Sequence, residues 1–268
     1  MSSIPQVLSI AGFDGSSGAG LQADLKTISA HKCYAHTVLT ALPVQNTCGV
    51  RNIYPIPLSA IQEQLIAVIE DTNLDAIKIG MLFDVEIIEI VANFLVNHAK
   101  NIPIVLDPVM VAKSGHNLLK PDAQDALKNL LFPLSTIITP NIPEAEAIVQ
   151  KSIITTNDMA KFAEEISNKY KIATLLKGGH LKGDHMQDLL YINNSKLWLD
   201  APKINTKNTH GTGCTLSASI ASNLALGENL EQACRNAKSY LYNALLHADE
   251  LHVGKGQGPV HHFYNLYQ

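Results

Sequence analysis

The chain has 268 residues, of which 46% are hydrophobic and 16% charged, and its formal net charge is −4. This composition indicates a compact globular protein and excludes a disordered or fibrous one. Because no basic run occurs, a nucleic-acid or membrane-surface partner is not indicated, and a small molecule is the expected ligand.

Short apolar runs alternate with amphipathic stretches along the chain, which is the pattern of a parallel sheet with helices on both faces. Strands are predicted at residues 7–10, 35–42, 76–79, 104–106, 136–138 and 174–176. Helices are predicted at residues 21–30, 58–70, 85–98, 121–131, 157–169, 215–226 and 230–247. An antiparallel hairpin, 188–192 with 196–201, is expected at one sheet edge. Without a linker or repeat, a single domain over residues 1–268 is predicted.

The four cysteines are widely spaced and form no CxxC pair, so neither a zinc site nor a disulfide framework is predicted. The N-terminus lacks the features of a signal peptide, and no apolar run is long enough to span a membrane. A cytoplasmic location is therefore expected.

Ligands of open α/β sheets bind beyond the carboxyl ends of the strands, so the segments that follow the predicted strands are the candidates for a site. The first, residues 11–20, contains four glycines and leads into a helix that carries Gln22 and Asp24. It matches neither the dinucleotide fingerprint nor the P-loop, because no lysine follows Gly20. Two interpretations stay open: a flexible loop, or close backbone approach to a small ligand that Asp24 or Gln22 recognises.

Three later strand ends carry polar candidates. Asp107 follows the strand 104–106 and could hold hydrated Mg²⁺, although an Asp-Pro pair can also simply terminate a strand. Asn141 and Glu144 have capping-box spacing, so the start of a helix is the structural alternative to a role in a site. Lys177 precedes two glycines and is either a phosphate-facing residue or a solvated loop charge.

The run NTHGTGCT, residues 208–215, stands directly before a predicted helix. Its glycines allow a tight turn, and the positive end of the helix dipole favours an anion. Cys214 could act as a thiolate with a lowered pKa or donate its backbone N–H, and a plain turn before a helix is the structural alternative. His210 is interpreted as a loop or surface residue near the site, and direct contact with a phosphate is the alternative. Together with the strand ends, this turn supplies what phosphoryl transfer requires: positioning, positive charge or Mg²⁺, and anion donors.

Seven segments occur in collinear order: VLSIAGFDGSSGAGLQADLKT, TALPVQNTCGV, IKIGML, LDPVMVAKSG, ITPNIPEAE, LLKGGH and THGTGCTLSASIA. Together they resemble the successive motifs of the hydroxymethylpyrimidine/phosphomethylpyrimidine kinases, a family of the ribokinase superfamily. The resemblance implies a ribokinase-like three-layer α/β/α sandwich with a mostly parallel central sheet, usually a homodimer. It also implies an enzyme of thiamine biosynthesis that uses ATP and Mg²⁺ to phosphorylate 4-amino-5-hydroxymethyl-2-methylpyrimidine and then its monophosphate.

The resemblance also implies roles for single residues. Many sugar kinases of the superfamily carry an aspartate base where Cys214 stands, so a thiol of ordinary pKa about 8.5 must be depressed to replace it. The implied sets are Gly12, Asp24, Gln45, Met81 and Val109 for the pyrimidine pocket, Asp107 and Glu144 for Mg²⁺, Asn141, Lys177 and Thr212 for ATP, and Gly211, Thr212, Gly213 and Cys214 for the anion hole.

Two positions depart from the family pattern. Phe13 stands where the family has a small residue, and the proline of the usual loop is missing, so the phenyl ring could narrow the pocket or stack on a flat substrate. Pro43, shortly before Gln45, would stiffen that segment. A pyridoxal or pyridoxine kinase of the same superfamily and a non-catalytic vitamin-binding protein are the alternative functions.

Overall fold

The computed structural model describes residues 4–110, 119, 122–179 and 185–266. Strands in this part of the chain form an eight-stranded sheet and a separate two-stranded sheet. The strands are β1 Gln6–Ala11, β2 Tyr34–Leu39, β3 Ala41–Asn46, β4 Gly49–Pro55, β5 Ala76–Ile79, β6 Ile104–Leu106, β7 Ile137–Ile138, β8 Ala173–Leu176, β9 Asp188–Ile192 and β10 Ser195–Leu199.

The α-helices cover the large sheet, and several begin at side-chain caps. Asp84, Thr155 and Asn229 each accept a hydrogen bond from a backbone N–H in the first turn of the helix that follows. The helices are α1 Gly20–Ala30, α2 Leu58–Asp71, α3 Val85–His98, α4 Ala123–Ala126, α5 Ile142–Val149, α6 Thr156–Tyr170, α7 Thr212–Ala225 and α8 Leu230–Leu246.

The large sheet runs in the order β10-β9-β8-β7-β6-β5-β1-β2, in which β9 is antiparallel to both β8 and β10 and the other neighbouring pairs are parallel. Alternate side chains of its strands face opposite layers. Ile77 and Ile79 pack in the core with α2, α3, α5 and α6, whereas Ala76 packs in the core with α1, α7 and α8. The predicted α/β/α sandwich with a mostly parallel sheet is therefore confirmed.

The strand expected at residues 35–42 is wrong as a single element, because the chain changes sheets at Thr40. This residue is completely buried, and its hydroxyl donates to the Met81 carbonyl at 2.6 Å. Within the described residues β3 then pairs with β4 alone, in an antiparallel hairpin that the sequence analysis did not predict. Pro43 within β3 obscured the strand pattern, since proline suits an edge strand and not a central one.

The helix expected at residues 121–131 also differs from the structure. α4 begins at Ala123 and continues as a π-helical segment, Leu127–Leu131, and residues 120 and 121 lie outside the described part of the chain. The expected edge hairpin is present as β9 and β10. No helix in the described ranges is long and apolar enough to cross a membrane.

The turn between β3 and β4 is tied to a distant segment near the end of the chain. Gln257 N donates to the Thr47 carbonyl at 2.9 Å, and Gly256 N donates to the Thr47 hydroxyl at 3.1 Å. A Cβ on Gly256 would overlap the Thr47 carbonyl, so only glycine fits this contact. The hairpin is thus held against residues 254–258.

Candidate active site

The loops after five parallel strands meet at one end of the large sheet. β1, β5, β6, β7 and β8 are neighbours in the strand order, so their carboxyl ends lie side by side. α7 packs against β1, β5 and β6 and brings its first turn, which begins at Thr212, to the same end. Residues far apart in the sequence are therefore brought together here.

Asp107, directly after β6, is held by two donors. Its Oδ1 accepts hydrogen bonds from Lys177 Nζ at 2.8 Å and from Thr139 Oγ1 at 3.0 Å. Lys177 is not a solvated loop charge, since its side chain is 15% exposed and paired with a buried carboxylate. A Cβ on Gly213 would lie 3.2 Å from Asp107 Oδ2 and 3.3 Å from Lys177 Nζ. The start of α7 thus lies directly against this ion pair.

Asn141 and Glu144 form the capping box that their spacing suggested. Asn141 Oδ1 accepts from Glu144 N at 2.9 Å, and Glu144 Oε2 accepts from Asn141 N at 2.8 Å. Burial raises the pKa of Glu144 to about 7, with Lys177 opposing this rise and Asp107 adding to it. The structural role is therefore real, and Glu144 also lies within the electrostatic field of the Asp107–Lys177 pair.

Asp24 is completely buried in α1 and paired with a lysine. Its Oδ2 accepts from Lys78 Nζ at 2.7 Å and from Ser9 Oγ at 2.6 Å. Among the described residues, nothing donates to its buried Oδ1. Burial raises the pKa of Asp24, and Lys78 only partly offsets that effect. Asp24 therefore keeps one free acceptor oxygen.

Lys78 is the site residue that sequence reasoning missed. Its side chain is completely buried, although burial of an ammonium is costly without a partner. Burial lowers the pKa of Lys78, but the negative charge of Asp24 raises it by more, and the net shift is upward. The sequence did contain a signal for it: a lysine within the apolar strand predicted at residues 76–79. With helices on both faces of the sheet, a side chain in that strand is expected to be buried and its charge to need a partner.

Cys214 lies in the first turn of α7 and is partly exposed. The expectation of a lowered thiol pKa is wrong, since desolvation by the surrounding protein raises the pKa of Cys214 to about 11. Lys78 and the Gly20 backbone N–H lower it, but by less than burial raises it. The thiol is therefore protonated at neutral pH in this structure.

The residues expected to line a substrate pocket lie beside one another at the β1 and β3 end of the site. A Cβ on the buried Gly12 would lie 3.0 Å from Met81 Sδ. Gln45 Nε2 donates to the Phe13 carbonyl at 3.4 Å, a long bond that a ligand can replace. The Phe13 ring folds against Gly15, whose Cβ would lie 3.3 Å from Cε1. The Gln45 carbonyl oxygen lies 3.8 Å from the same point, so the ring and Gln45 both flank Gly15.

The remaining predicted residues occupy the other side of the site. Val109 N donates to the Asp107 carbonyl at 2.8 Å, and the Val109 side chain is only partly buried. Gly211 caps α7 with φ 78°, a left-handed conformation that favours glycine. Thr212 follows it as the first residue of the helix. The described structure thus places every predicted site residue at this end of the sheet.

The three-layer sandwich, the Asp107–Lys177 pair and the glycine turn at the start of α7 define a small-molecule kinase of the ribokinase-like class. Residues 14–261 match the model of the phosphomethylpyrimidine kinase family. The chain is 45% identical over 262 residues to the hydroxymethylpyrimidine/phosphomethylpyrimidine kinase of Rhizobium meliloti, covering 97% of this chain and 98% of that protein. The chain belongs to the phosphomethylpyrimidine kinase family.

Solved structures agree with this membership. A phosphomethylpyrimidine kinase from Clostridium difficile is 42% identical, with a TM-score of 0.79 over 90% of this chain and 99% of that one. A pyridoxal kinase from Bacillus subtilis, solved as an ADP complex, is 34% identical, with a TM-score of 0.91 over 99% of this chain and 100% of that one. The non-catalytic alternative is therefore not supported.

Proposed function

We propose that the protein transfers the γ-phosphoryl group of ATP to 4-amino-5-hydroxymethyl-2-methylpyrimidine and then phosphorylates the monophosphate to the diphosphate, in thiamine biosynthesis. The observation that carries the proposal is the placement of the Asp107–Lys177 pair against Gly213 at the start of α7. Full-length identity of 45% to a kinase of that name supports the choice of substrate.

The anion hole of the proposed reaction is the turn Gly211–Cys214. Its backbone N–H groups and the positive end of α7 would receive the transferring phosphoryl group. Lys177, at the edge of this turn, would neutralise ATP phosphate charge, and Asn141 at the start of α5 would border the same phosphates. The thiolate fraction of Cys214 would accept the proton of the substrate hydroxyl, with Lys78 nearby as its positive charge.

A magnesium ion fits the acidic side of this site. Asp107 Oδ2 lies beside Gly213, which carries no side chain, and Oδ1 is the oxygen that Lys177 and Thr139 bond. Among the described residues, no three His, Cys, Asp or Glu side chains converge, and Mg²⁺ in kinase sites usually takes only one or two carboxylates besides phosphate and water oxygens. Asp107 would be the direct ligand, and Glu144 would orient the waters. The ion would neutralise charge that develops on the phosphates.

The pyrimidine ring would lie among Gly12, Gln45, Met81 and Val109. The Gln45 amide offers a donor and an acceptor, which matches the edge of an aminopyrimidine. The free Oδ1 of Asp24 is an acceptor that an amino group could satisfy, which would relieve the cost of leaving it unpaired.

Pyridoxal is the second candidate substrate, because a pyridoxal kinase shares the fold at a TM-score of 0.91. The test is Mg²⁺-dependent ADP release with the hydroxymethylpyrimidine, its monophosphate and pyridoxal, with products identified by mass spectrometry. We expect the monophosphate and then the diphosphate from the pyrimidine. ADP release with pyridoxal alone would establish the second candidate, and none with any of the three would overturn both.

A homodimer is proposed from the outer face of the β3–β4 hairpin. Leu42 and Tyr54 are cross-strand partners and are 37% and 54% exposed, and Val44 beside them is 42% exposed. Such an apolar strand face is usually covered by another chain. Light scattering should give twice the chain mass for the wild type, and Leu42→Asp should shift it towards the monomer. An unchanged mass in this variant would place the interface elsewhere.

The four cysteines are all unpaired, which suits a reducing compartment, and we propose the cytoplasm.

A further inference from the structure

Asp14 is a buried carboxylate that the roles assigned above leave unused. Its Oδ1 accepts from Ser16 N at 2.9 Å and from Ser16 Oγ at 2.7 Å. Its Oδ2 accepts from Gly18 N at 3.0 Å and Ala19 N at 2.7 Å, and lies 2.8 Å from His210 Nε2. One carboxylate therefore shapes the loop between β1 and α1 and also reaches the turn before α7.

The two turns touch along their backbones on either side of this bond. A Cβ on Gly211 would overlap the Gly18 carbonyl oxygen, and a Cβ on Gly18 would lie 2.5 Å from His210 Cδ2. Further along the loop, the Gly20 backbone N–H lies close enough to Cys214 to lower the pKa of its thiol. Glycine is required at both 18 and 211 because the contact leaves no space for a side chain.

A third segment holds His210 from behind. The His210 backbone N–H donates to the Gly258 carbonyl at 3.0 Å, and Gly258 N donates to Asn208 Oδ1 at 3.1 Å. The His210 side chain is 20% exposed, so its imidazole is enclosed on most sides. The ring therefore has a fixed position from which it reaches Asp14.

The bond between the turns is to an ionised acceptor. Burial raises the pKa of Asp14, but the hydrogen bonds from His210 and Ser16 lower it by more. The resulting pKa of Asp14 is about 2. A hydrogen bond to a charged group is roughly twice as strong as a neutral one. It links residues that are 196 positions apart in the sequence, and it adds a side-chain bond to the backbone contact between Gly18 and Gly211.

We propose that His210 and Asp14 are positioning residues for phosphoryl transfer. Their bond fixes the turn that would hold the transferring phosphoryl group against the loop that would border the substrate ring. This inference rests on the proposed function, in which Gly12 and Gly211–Cys214 serve those two ligands. In-line transfer is sensitive to displacements of about 1 Å, so loosening the bond should reduce turnover more than ligand binding.

The test compares His210→Leu, which removes the bond, with His210→Gln, whose amide nitrogen can still donate to Asp14. His210→Leu should lower kcat about 30-fold, the rate equivalent of one lost hydrogen bond to a charged group, with KM for ATP within about twofold. His210→Gln should recover most of that loss. Equal kcat losses in both variants, or full kcat in His210→Leu, would overturn the proposal.

Two matched controls separate positioning from general loosening. Ser16→Ala removes a 2.7 Å bond to the same carboxylate without touching the link between the turns, and should cost less than about threefold in kcat. His185→Leu breaks a similar 2.8 Å pair with Asp200 at the surface and should leave kcat unchanged. A loss in Ser16→Ala as large as that in His210→Leu would contradict the proposal.

Amide hydrogen exchange gives a readout that does not depend on the substrate. In His210→Leu, residues 12–20 and 208–215 should both exchange faster, whereas in Ser16→Ala only residues 12–20 should do so. Unchanged exchange of both segments in His210→Leu would refute the link even if the wild type proved to use another substrate. Failure of the wild type to phosphorylate the pyrimidine would refute the proposed function alone.

Discussion

Two buried lysine–aspartate pairs hold different parts of the molecule, and they differ in how completely they are satisfied. Lys238 donates to Asp188 Oδ2 at 2.6 Å and to the Met186 carbonyl at 2.9 Å, and Asp188 Oδ1 accepts from Gly178 N at 2.9 Å. Both carboxylate oxygens of Asp188 accept a hydrogen bond, so we interpret this pair as a structural link between α8 and β9.

The Lys78–Asp24 pair is more deeply buried and less well satisfied. Both side chains are completely inaccessible, and Asp24 Oδ1 has no partner within the described structure. Buried ion pairs often contribute little net stability, and an unbonded oxygen makes the balance worse. The satisfied pair has no acceptor left over, whereas the Lys78–Asp24 pair leaves one buried acceptor that the proposed substrate would bond.

The largest expected effect comes from breaking the second pair. Lys78→Met leaves Asp24 buried and uncompensated, which should lower the free energy of unfolding by about 3–5 kcal/mol. Because it also removes positive charge beside Cys214, kcat should fall about 10²–10³-fold. Urea unfolding and ADP release measure the two effects. A variant with full kcat would show that the pair is only structural.

Neutralising both members of each pair sharpens the contrast. Lys78→Met with Asp24→Asn and Lys238→Met with Asp188→Asn should both regain most of the stability that the single lysine variants lose. Kinase activity should be close to that of the wild type only in the Lys238 double variant. In that variant the amide oxygen of Asp188→Asn can still accept the hydrogen bond from Gly178 N. Equal activities in the two double variants would contradict the distinction between the pairs.

Cys214 provides the next largest effect. Its pKa of about 11 means that the thiolate fraction grows about tenfold for each pH unit between pH 7 and 9. If the thiolate is the base, kcat should rise over that range, and Cys214→Ala should lose about 10²-fold at pH 8 and become independent of pH. A flat wild-type profile together with an active Cys214→Ala would leave only the backbone N–H role.

The smallest effect is expected for Gln45, on the pyrimidine side of the proposed site. Gln45→Ala should raise KM for the pyrimidine about tenfold, the loss of roughly one hydrogen bond, and change KM for ATP little. Gln22, in the first turn of α1, accepts a hydrogen bond from Asp14 N. Gln22→Ala removes that bond and is the comparison variant for disorder of the loop between β1 and α1 alone. A larger change in KM for ATP than for the pyrimidine would show that Gln45 belongs to the ATP subsite and not to the pyrimidine pocket.

Local sequence patterns predicted the elements whose signal is local. β5, β6 and α3 have the expected bounds because apolar periodicity and turn residues delimit them. The β3–β4 hairpin was missed, since the buried face of β3 includes Pro43 and Val50 is the one buried residue of β4. Glycine turns and strand-end polar residues located the candidate site.

Pairing between distant residues could not be predicted in the same way. Lys78 and Asp24 are 54 positions apart, and only the sheet order brings them together. The Cys214 pKa was predicted with the wrong sign because a helix start is visible in a sequence, whereas the protein that desolvates the thiol is not. Charge partners and burial are properties of the assembled fold.

The contact between Thr47 and residues 254–258 has a consequence for how the chain assembles during synthesis. The β3–β4 hairpin, which contains Gln45, emerges from the ribosome early, but the segment that anchors its turn is made about 200 residues later, as the positions of Thr47 and Gly256 show. Such long-range closure is a slow, late event in folding. Nascent chains should therefore bury the core of the large sheet well before the hairpin that carries Gln45 is anchored.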